Sequence, residues 1–441
     1  MNPLLIIFVA AAAASGLSWP PEGNMDAQSS PQLLLPTETL LDGVEIAKTA
    51  PLIDLRYYDC QTYEPKPGVW SHWGDGSVTG DVYYSAIGDH SSPSGNAFVY
   101  AYDAASKELR KLVDLKSILK QPEGRYSPGK IHSEINLGSD GWLYFSTHRG
   151  STKIAFHETA NFQGDWILRH HPKSGKSEIL AHAPLPMQCM PCGTLDPERL
   201  IFYAGTADGL NEKQPQFLAY DLKKREILFS SEQGPARAMI RSRSGLIYFH
   251  AQKSGPAPLL RFDPDSPGDG LVPTSASVGL RAATGETSKG RVYTADGGEL
   301  WEFQTNRETA RKLGSLAVGA KDYITSLDLD PKTERYLYYV PGSHGGAEKD
   351  GSPLVQFDLK TGTRKVIAFL HPFVYERIGF VPMGSYSLAV SEAGDKVFIT
   401  WNGNRGASPD QIAGNAKPRI KFNTCALTVV HIPASERLDA D

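Results

Sequence analysis

The chain has 441 residues and a formal net charge of −4, with apolar and charged fractions of 40% and 21%. That length suits one large domain or two ordinary ones, and the charge gives no support to nucleic-acid binding, which usually shows as a basic domain. The 42 glycines and 31 prolines suit a fold with many turns.

In chain order, residues 1–15 (MNPLLIIFVAAAAAS) join an apolar run to small residues. This reads as a secretory signal peptide with an A-x-A-like site near Ala12 to Ser15. A spanning anchor would need about 20 apolar residues, and the run is shorter. The mature protein is therefore expected to be secreted or periplasmic, without membrane contact after cleavage. Residues 16–50 are a polar, proline-bearing lead-in, expected to wrap the outside or to be partly disordered. Residues 51–441 hold everything else.

From residue 97 onward one unit recurs: an apolar strand ending in aromatic-Asp, a polar turn, then a short strand. It carries Tyr102-Asp103, Tyr220-Asp221, Phe262-Asp263 and Phe357-Asp358, with degenerate copies around His171, Gln304 and Ile432. That makes seven copies. Between them lie further strand pairs such as CGTLDPERLIFYAG and SLAVSEAGDKVFITW. The segments alternate rather than following a helical period. Four-stranded antiparallel units roughly 40 to 70 residues apart predict an all-β, seven-bladed propeller. The last copy ends near the C-terminus, so PLIDLRYYD (51–59) is expected to supply its fourth strand and close the ring, which removes exposed edges. Cys60 follows that strand and Cys425 opens the last third strand. A Cys60–Cys425 disulfide is expected to staple the closure. The other two cysteines form Cys189-Met190-Pro191-Cys192. Nothing helical follows, as a redox motif requires, and there is no second C-x-x-C for zinc. A short-loop disulfide or two small buried thiols is the expectation.

In a propeller, the start of the innermost strand A and the end of strand B meet at one mouth of the central channel. The hairpin GKIHSEINLGSDGWLYFSTHRGS (129–151) brings His132 and His148, with Arg149, to that rim. Other starts of A offer Gln188, Arg237, Arg281, Tyr323 and Tyr386; other ends of B offer His90, His250, Asp296, His344, Asn402 and Arg405. Five of the 12 histidines fall in this set. Each alone is as readily a solvated or packed side chain, and Tyr386 as readily core. Together they suggest a binding site for a carboxylate or sulfate, since arginine presents a planar fork to such groups and histidine can act as acid or base. No metal-ligand spacing motif, P-loop, dinucleotide fingerprint or nucleophile elbow is present. No cofactor is named by the residues, and a structural divalent metal is left open.

GDHSSPSGNAFVYAYD (88–103) followed by SPGKIHSEINLGSDGWLYFSTHRG (127–150) resembles the seven-bladed propeller polysaccharide lyases that act on ulvan, and related secreted bacterial propellers. The resemblance is strongest over residues 80–150. It implies β-elimination at a uronic acid in an anionic polysaccharide, sulfated or not, which needs a base, an acid and a group that neutralises the carboxylate. His132 and His148 would be the base or acid and its partner. One blade on, where the family's Tyr and Arg are expected, the chain has Met187-Gln188-Cys189 and Ala204-Gly205-Thr206. Tyr203 and Arg237 are the nearby substitutes, and Arg149 could neutralise the carboxylate. His90, His250, Arg281, Tyr323, His344 and Arg405 would contact substrate. The alternative is a non-catalytic propeller that binds a glycan or a protein partner.

Overall fold

A computed structural model describes residues 23–59, 70–90, 94–150, 159–206, 215–252 and 254–437. The expected signal peptide and Cys60 lie outside these residues. The structure is a seven-bladed propeller of four-stranded antiparallel blades. Among the described residues no helix is long and apolar enough to cross a membrane.

In blade 1 the innermost strand is split into Trp70–Ser71 and Ser77–Thr79, both paired with strand B (Val82–Asp89); strands C and D are Ala97–Asp103 and Glu108–Asp114. Blade 2 runs Asn136–Leu137, Leu143–Ser146, Trp166–His170 and Ser177–His182. Blade 3 runs Cys192–Asp196, Ile201–Gly205, Phe217–Asp221 and Glu226–Ser231, and blade 4 runs Ile240–Arg241, Ile247–Phe249, Ala257–Phe262 and Leu271–Val278. Blades 5 and 6 open with Ala282–Ala283 and Leu327–Leu329 and end with Thr309–Ser315 and Arg364–Phe369. In blade 1 strands B and C are buried on both faces, while strand D, Glu108–Asp114, alternates between partly buried and exposed, which places D at the rim.

The repeated aspartate has a local cause. Asp103 Oδ1 accepts the backbone N–H groups of Ala105 and Ser106 at 2.9 and 3.1 Å, and Asp221 Oδ1 those of Lys223 and Lys224 at 2.9 Å each. The carboxylate thus shapes the turn from C to D, a recognised role of Asp in turns. In the degenerate second copy His171 Nδ1 takes over, accepting Ser174 N–H at 3.1 Å.

Blade 7 joins Phe380–Val390, Lys396–Arg405 and Thr424–His431 to Leu52–Tyr57 from the start of the chain, in register from Leu52 opposite His431 to Tyr57 opposite Ala426. The ring closes as the sequence suggests; among the described residues no disulfide is found, and Cys60, the expected partner of Cys425, lies outside them. The Cys425 thiol is buried and donates to Asn402 Oδ1 at 3.7 Å. The described residues hold the closure through the six-residue ladder and through side chains that reach across it. Asn402 accepts His72 N–H at 2.7 Å and donates to His72 O at 2.8 Å, tying blade 7 to blade 1. The Tyr58 hydroxyl bonds both Ser85 and Thr400 at 2.8 Å. The lead-in wraps the outside: Met25–Gln28 extends blade 7, and Glu45–Ile46 pairs parallel to the last strand of blade 6.

Candidate active site

Seven inner strands, each entering from the same rim, converge on a recess of about 100 Å³ lined by Trp73, Asp75, His132, Glu134, Arg237, Arg281 and Tyr386 among others. His132 and His148 meet there, but not as directly opposed hairpin residues. His148 pairs across with Lys130, N to O at 2.9 and 3.0 Å. Between that bridge and the ladder proper, the Ser133 hydroxyl accepts Ser146 N–H (2.9 Å) and donates to Ser146 O (3.2 Å). A side chain replaces the backbone partner, and the strand is freed to swing His132 inward. The two rings meet edge to face at 5.6 Å.

His132 Nδ1 lies 3.1 Å from Pro191 O. Nδ1–H therefore donates there, which leaves the lone pair on Nε2. Burial, then the charges of Lys130, Arg281 and Arg237, push its pKa well below 6.5. His148 is lowered in the same direction by burial, Lys130, His132, Arg149 and His90. His90 is held at about 3 by burial and Lys130, and His344 is lowered by burial and the two arginines. At neutral pH these four imidazoles are uncharged.

Aromatic rings build the wall. Trp73 stacks on His90 (4.6 Å, 21°) and touches Tyr386 (4.7 Å); Tyr323 stacks on His344 (4.6 Å, 24°), which lies 5.5 Å from Tyr386. Arg281 Nε–H donates to the Tyr323 hydroxyl at 2.8 Å, so its guanidinium lies 5.7 Å from the Tyr386 ring centre. Tyr386 is 6.4 Å from His132, ring to ring, and burial raises its phenol pKa so that it stays protonated. Burial holds Asp75 well above the usual carboxylate range, and Glu134 Oε2 accepts from Asn136 and Thr194 at 2.9 and 3.0 Å.

Beyond Trp73 a wider groove is lined by His344, Phe422, Lys321, Lys349, Arg419 and Lys421. None of these four cations forms an ion pair among the described residues.

The structure thus brings together His90, His132, His148, Arg237, Arg281, Tyr323 and His344 from the expected set. Four others lie elsewhere. Tyr203 is mid-strand, opposite Thr194 and Ala219, and fully buried against Phe217 and Phe262 between blades 3 and 4. Its strand position sends it into the core, not to the mouth. His250 is buried with Nε2 on Val278 O at 3.1 Å. Arg405 lies over the Tyr57 ring at 5.2 Å, towards the rim of blade 7. Arg149 is buried, and its charge acts on Asp165 and Cys189. Tyr386, one of the rim residues read from the sequence, lines the recess from the side opposite His132. Trp73, Lys130, Asp75 and Phe422 were not singled out from the sequence. The signal for Trp73 was present: seven blades need seven inner strands, and WSHWGDGS before the first B strand is the seventh.

The fold and site define a seven-bladed β-propeller whose channel mouth is lined by neutral histidines, arginines and aromatic rings. No protein-family model matches the chain, and no curated protein is significantly similar to it in sequence. Among solved structures it is similar to a chain of a mitotic checkpoint complex (10% identity, 98% of this chain and 99% of that one, TM-score 0.49). It is also similar to Sqt1 of Saccharomyces cerevisiae (12%, 83% and 97%, 0.46) and to a luciferin-regenerating enzyme (12%, 86% and 95%, 0.40). None of these three carries the resemblance to polysaccharide lyases further.

Proposed function

We propose that this propeller is a secreted carbohydrate-active protein that cleaves a uronate-containing polysaccharide by β-elimination. The observation that carries the reading is the placement of His132, with its tautomer set by Pro191 O, facing Tyr386 and Arg281 in one recess. Arg281, with Arg237, pairs with the uronate carboxylate, which draws charge from C5 as its proton leaves. His132 Nε2 takes the C5 proton. The C4–O bond breaks as the C4=C5 double bond forms, and the protonated Tyr386 hydroxyl gives its proton to the leaving oxygen. His148 packs edge-on against His132 and fixes its ring. The aromatic wall offers faces for sugar rings, and the unpaired cations beyond Trp73 suit an anionic polymer.

The second reading is a glycan-binding propeller without chemistry. The same aromatic wall favours it, because stacking needs no acid or base. Incubation with a panel of uronic-acid polysaccharides separates the two. Elimination creates a conjugated double bond, so ultraviolet absorbance should rise with wild type and stay flat with His132→Ala. A flat wild-type trace with glycan retained on the protein would favour binding alone. A flat trace with no glycan bound would overturn both readings.

A further inference from the structure

Behind the two histidines, three buried side chains meet from three different segments. His148 follows the second strand of blade 2, Asp165 precedes the third, and Cys189 lies on the crossing to blade 3. One donor atom from each falls within 4.8 Å of the other two. We propose that His148, Asp165 and Cys189 bind a divalent metal of the zinc class through one nitrogen, one oxygen and one sulfur.

The first support is unmet bonding. His148 Nδ1 and Asp165 Oδ2 are enclosed, and neither has a hydrogen-bond partner. Buried polar atoms are almost always partnered, so two such orphans on residues of one cluster call for an explanation. A thiol hydrogen shared between Cys189 and Asp165 would leave Nδ1 of His148 unused. A metal engages all three groups.

The second support is the surrounding shell. Asp165 Oδ1 accepts from the Tyr126 hydroxyl (3.0 Å) and the Thr147 hydroxyl (2.6 Å), which orients the carboxylate and leaves Oδ2 for the cluster. The Arg149 backbone hydrogen-bonds Cys189. Ligating carboxylates and thiolates are held by partners of this kind. On binding, the Cys189 S–H bond gives way to a sulfur–metal bond and the proton leaves to solvent. The thiolate and carboxylate together carry two negative charges, which the divalent ion neutralises. The mixed N, O, S set is that of zinc rather than of calcium or magnesium. Three protein donors leave one position of a tetrahedral site for a further ligand.

The C-x-x-C spacing is thereby resolved without pairing its cysteines. Cys192 lines the recess, and only Cys189 belongs to the cluster. A metal on His148 also fixes the ring that packs on His132, which makes it a positioning device for the site in front.

The test uses the full chain and does not depend on catalysis. Wild type and Cys192→Ala, loaded with zinc and then dialysed against metal-free buffer, should each retain about one zinc per chain by elemental analysis. Cys189→Ala and Asp165→Asn should retain far less. Loaded with cobalt instead, wild type and Cys192→Ala should show a thiolate-to-cobalt charge-transfer band that Cys189→Ala lacks. Circular dichroism reports whether each variant folds. If Cys189→Ala does not fold, the band in wild type and its survival in Cys192→Ala and Cys425→Ala still decide. Folded wild type that retains no zinc, or a cobalt band that Cys189→Ala leaves unchanged or that either control removes, overturns the proposal. The lyase reading stands or falls separately on product absorbance.

Discussion

Asp54 lies in the strand that closes the ring, and its carboxylate gathers three otherwise separate parts of the chain. Oδ1 accepts Ala27 N–H and the Lys107 ammonium at 2.7 Å each, and Oδ2 accepts His431 Nε2–H at 2.7 Å. The Asp54 side chain is 2% exposed, whereas Lys107 and His431 are 32% and 29% exposed. Asp54→Asn keeps an acceptor for Ala27 but loses the charge and the second acceptor. Two hydrogen bonds to a charged group are weakened, at roughly 1.5–3 kcal/mol each. Water reaching Lys107 and His431 recovers part of that, so the expected loss is about 2–4 kcal/mol. Burial works against the ionised carboxylate, but the bonds from His431, Lys107 and Ala27 outweigh it and hold the Asp54 pKa far below its usual value. A depressed folded-state pKa gives stability that is complete above the unfolded value of about 3.9 and fades as pH falls below it. Urea unfolding followed by tryptophan fluorescence should therefore show a lower midpoint with unchanged slope at pH 7. The gap from wild type should narrow below about pH 4. Equal midpoints at pH 7, or a gap that persists unchanged into acid, would refute this account of the closure.

Tyr386→Phe should lower kcat on the cleaved polysaccharide by about 10²–10⁴-fold with little change in KM, as expected for loss of a general acid; wild-type kcat would remove Tyr386 from the chemistry. Trp73→Ala removes the ring that stacks on His90 and touches Tyr386, and should weaken glycan binding measured by calorimetry by about 1–2 kcal/mol. Gly74→Ala would set a Cβ 2.5 Å from Ile131 O and 2.8 Å from the His132 Cα. Both are backbone atoms, so the His132 segment must shift. A stability loss of about 1–3 kcal/mol is expected, together with loss of cleavage, and a fully active variant of wild-type stability would show that His132 needs no such exact seat.

The sequence by itself determined the architecture. Aromatic-Asp strand ends recur because each carboxylate builds a local turn, and local hydrogen bonds leave a local signature. Seven repeats and an unpaired last blade then specified closure by residues 51–59, since an open edge is costly. His132, His148, Arg237, Arg281, Tyr323 and His344 were also legible as one rim, because strand polarity alone assigns each strand end to a mouth.

What only the tertiary structure decided lies across blades. Strand polarity put Tyr386 at the rim, but spacing alone did not say that Tyr203 turns away from the recess or that Tyr386 meets His132. Register placed Tyr203 opposite Thr194 and Ala219 in the core, and the curvature of the ring brought Tyr386 of blade 7 beside His132 of blade 2. His148, Asp165 and Cys189 have no common spacing in the chain and meet only because three segments cross at one point. The part that Asp54, Asn402 and Tyr58 play in closure was likewise hidden. Side chains far apart in sequence are brought into contact by packing, and packing leaves no period for the sequence to show.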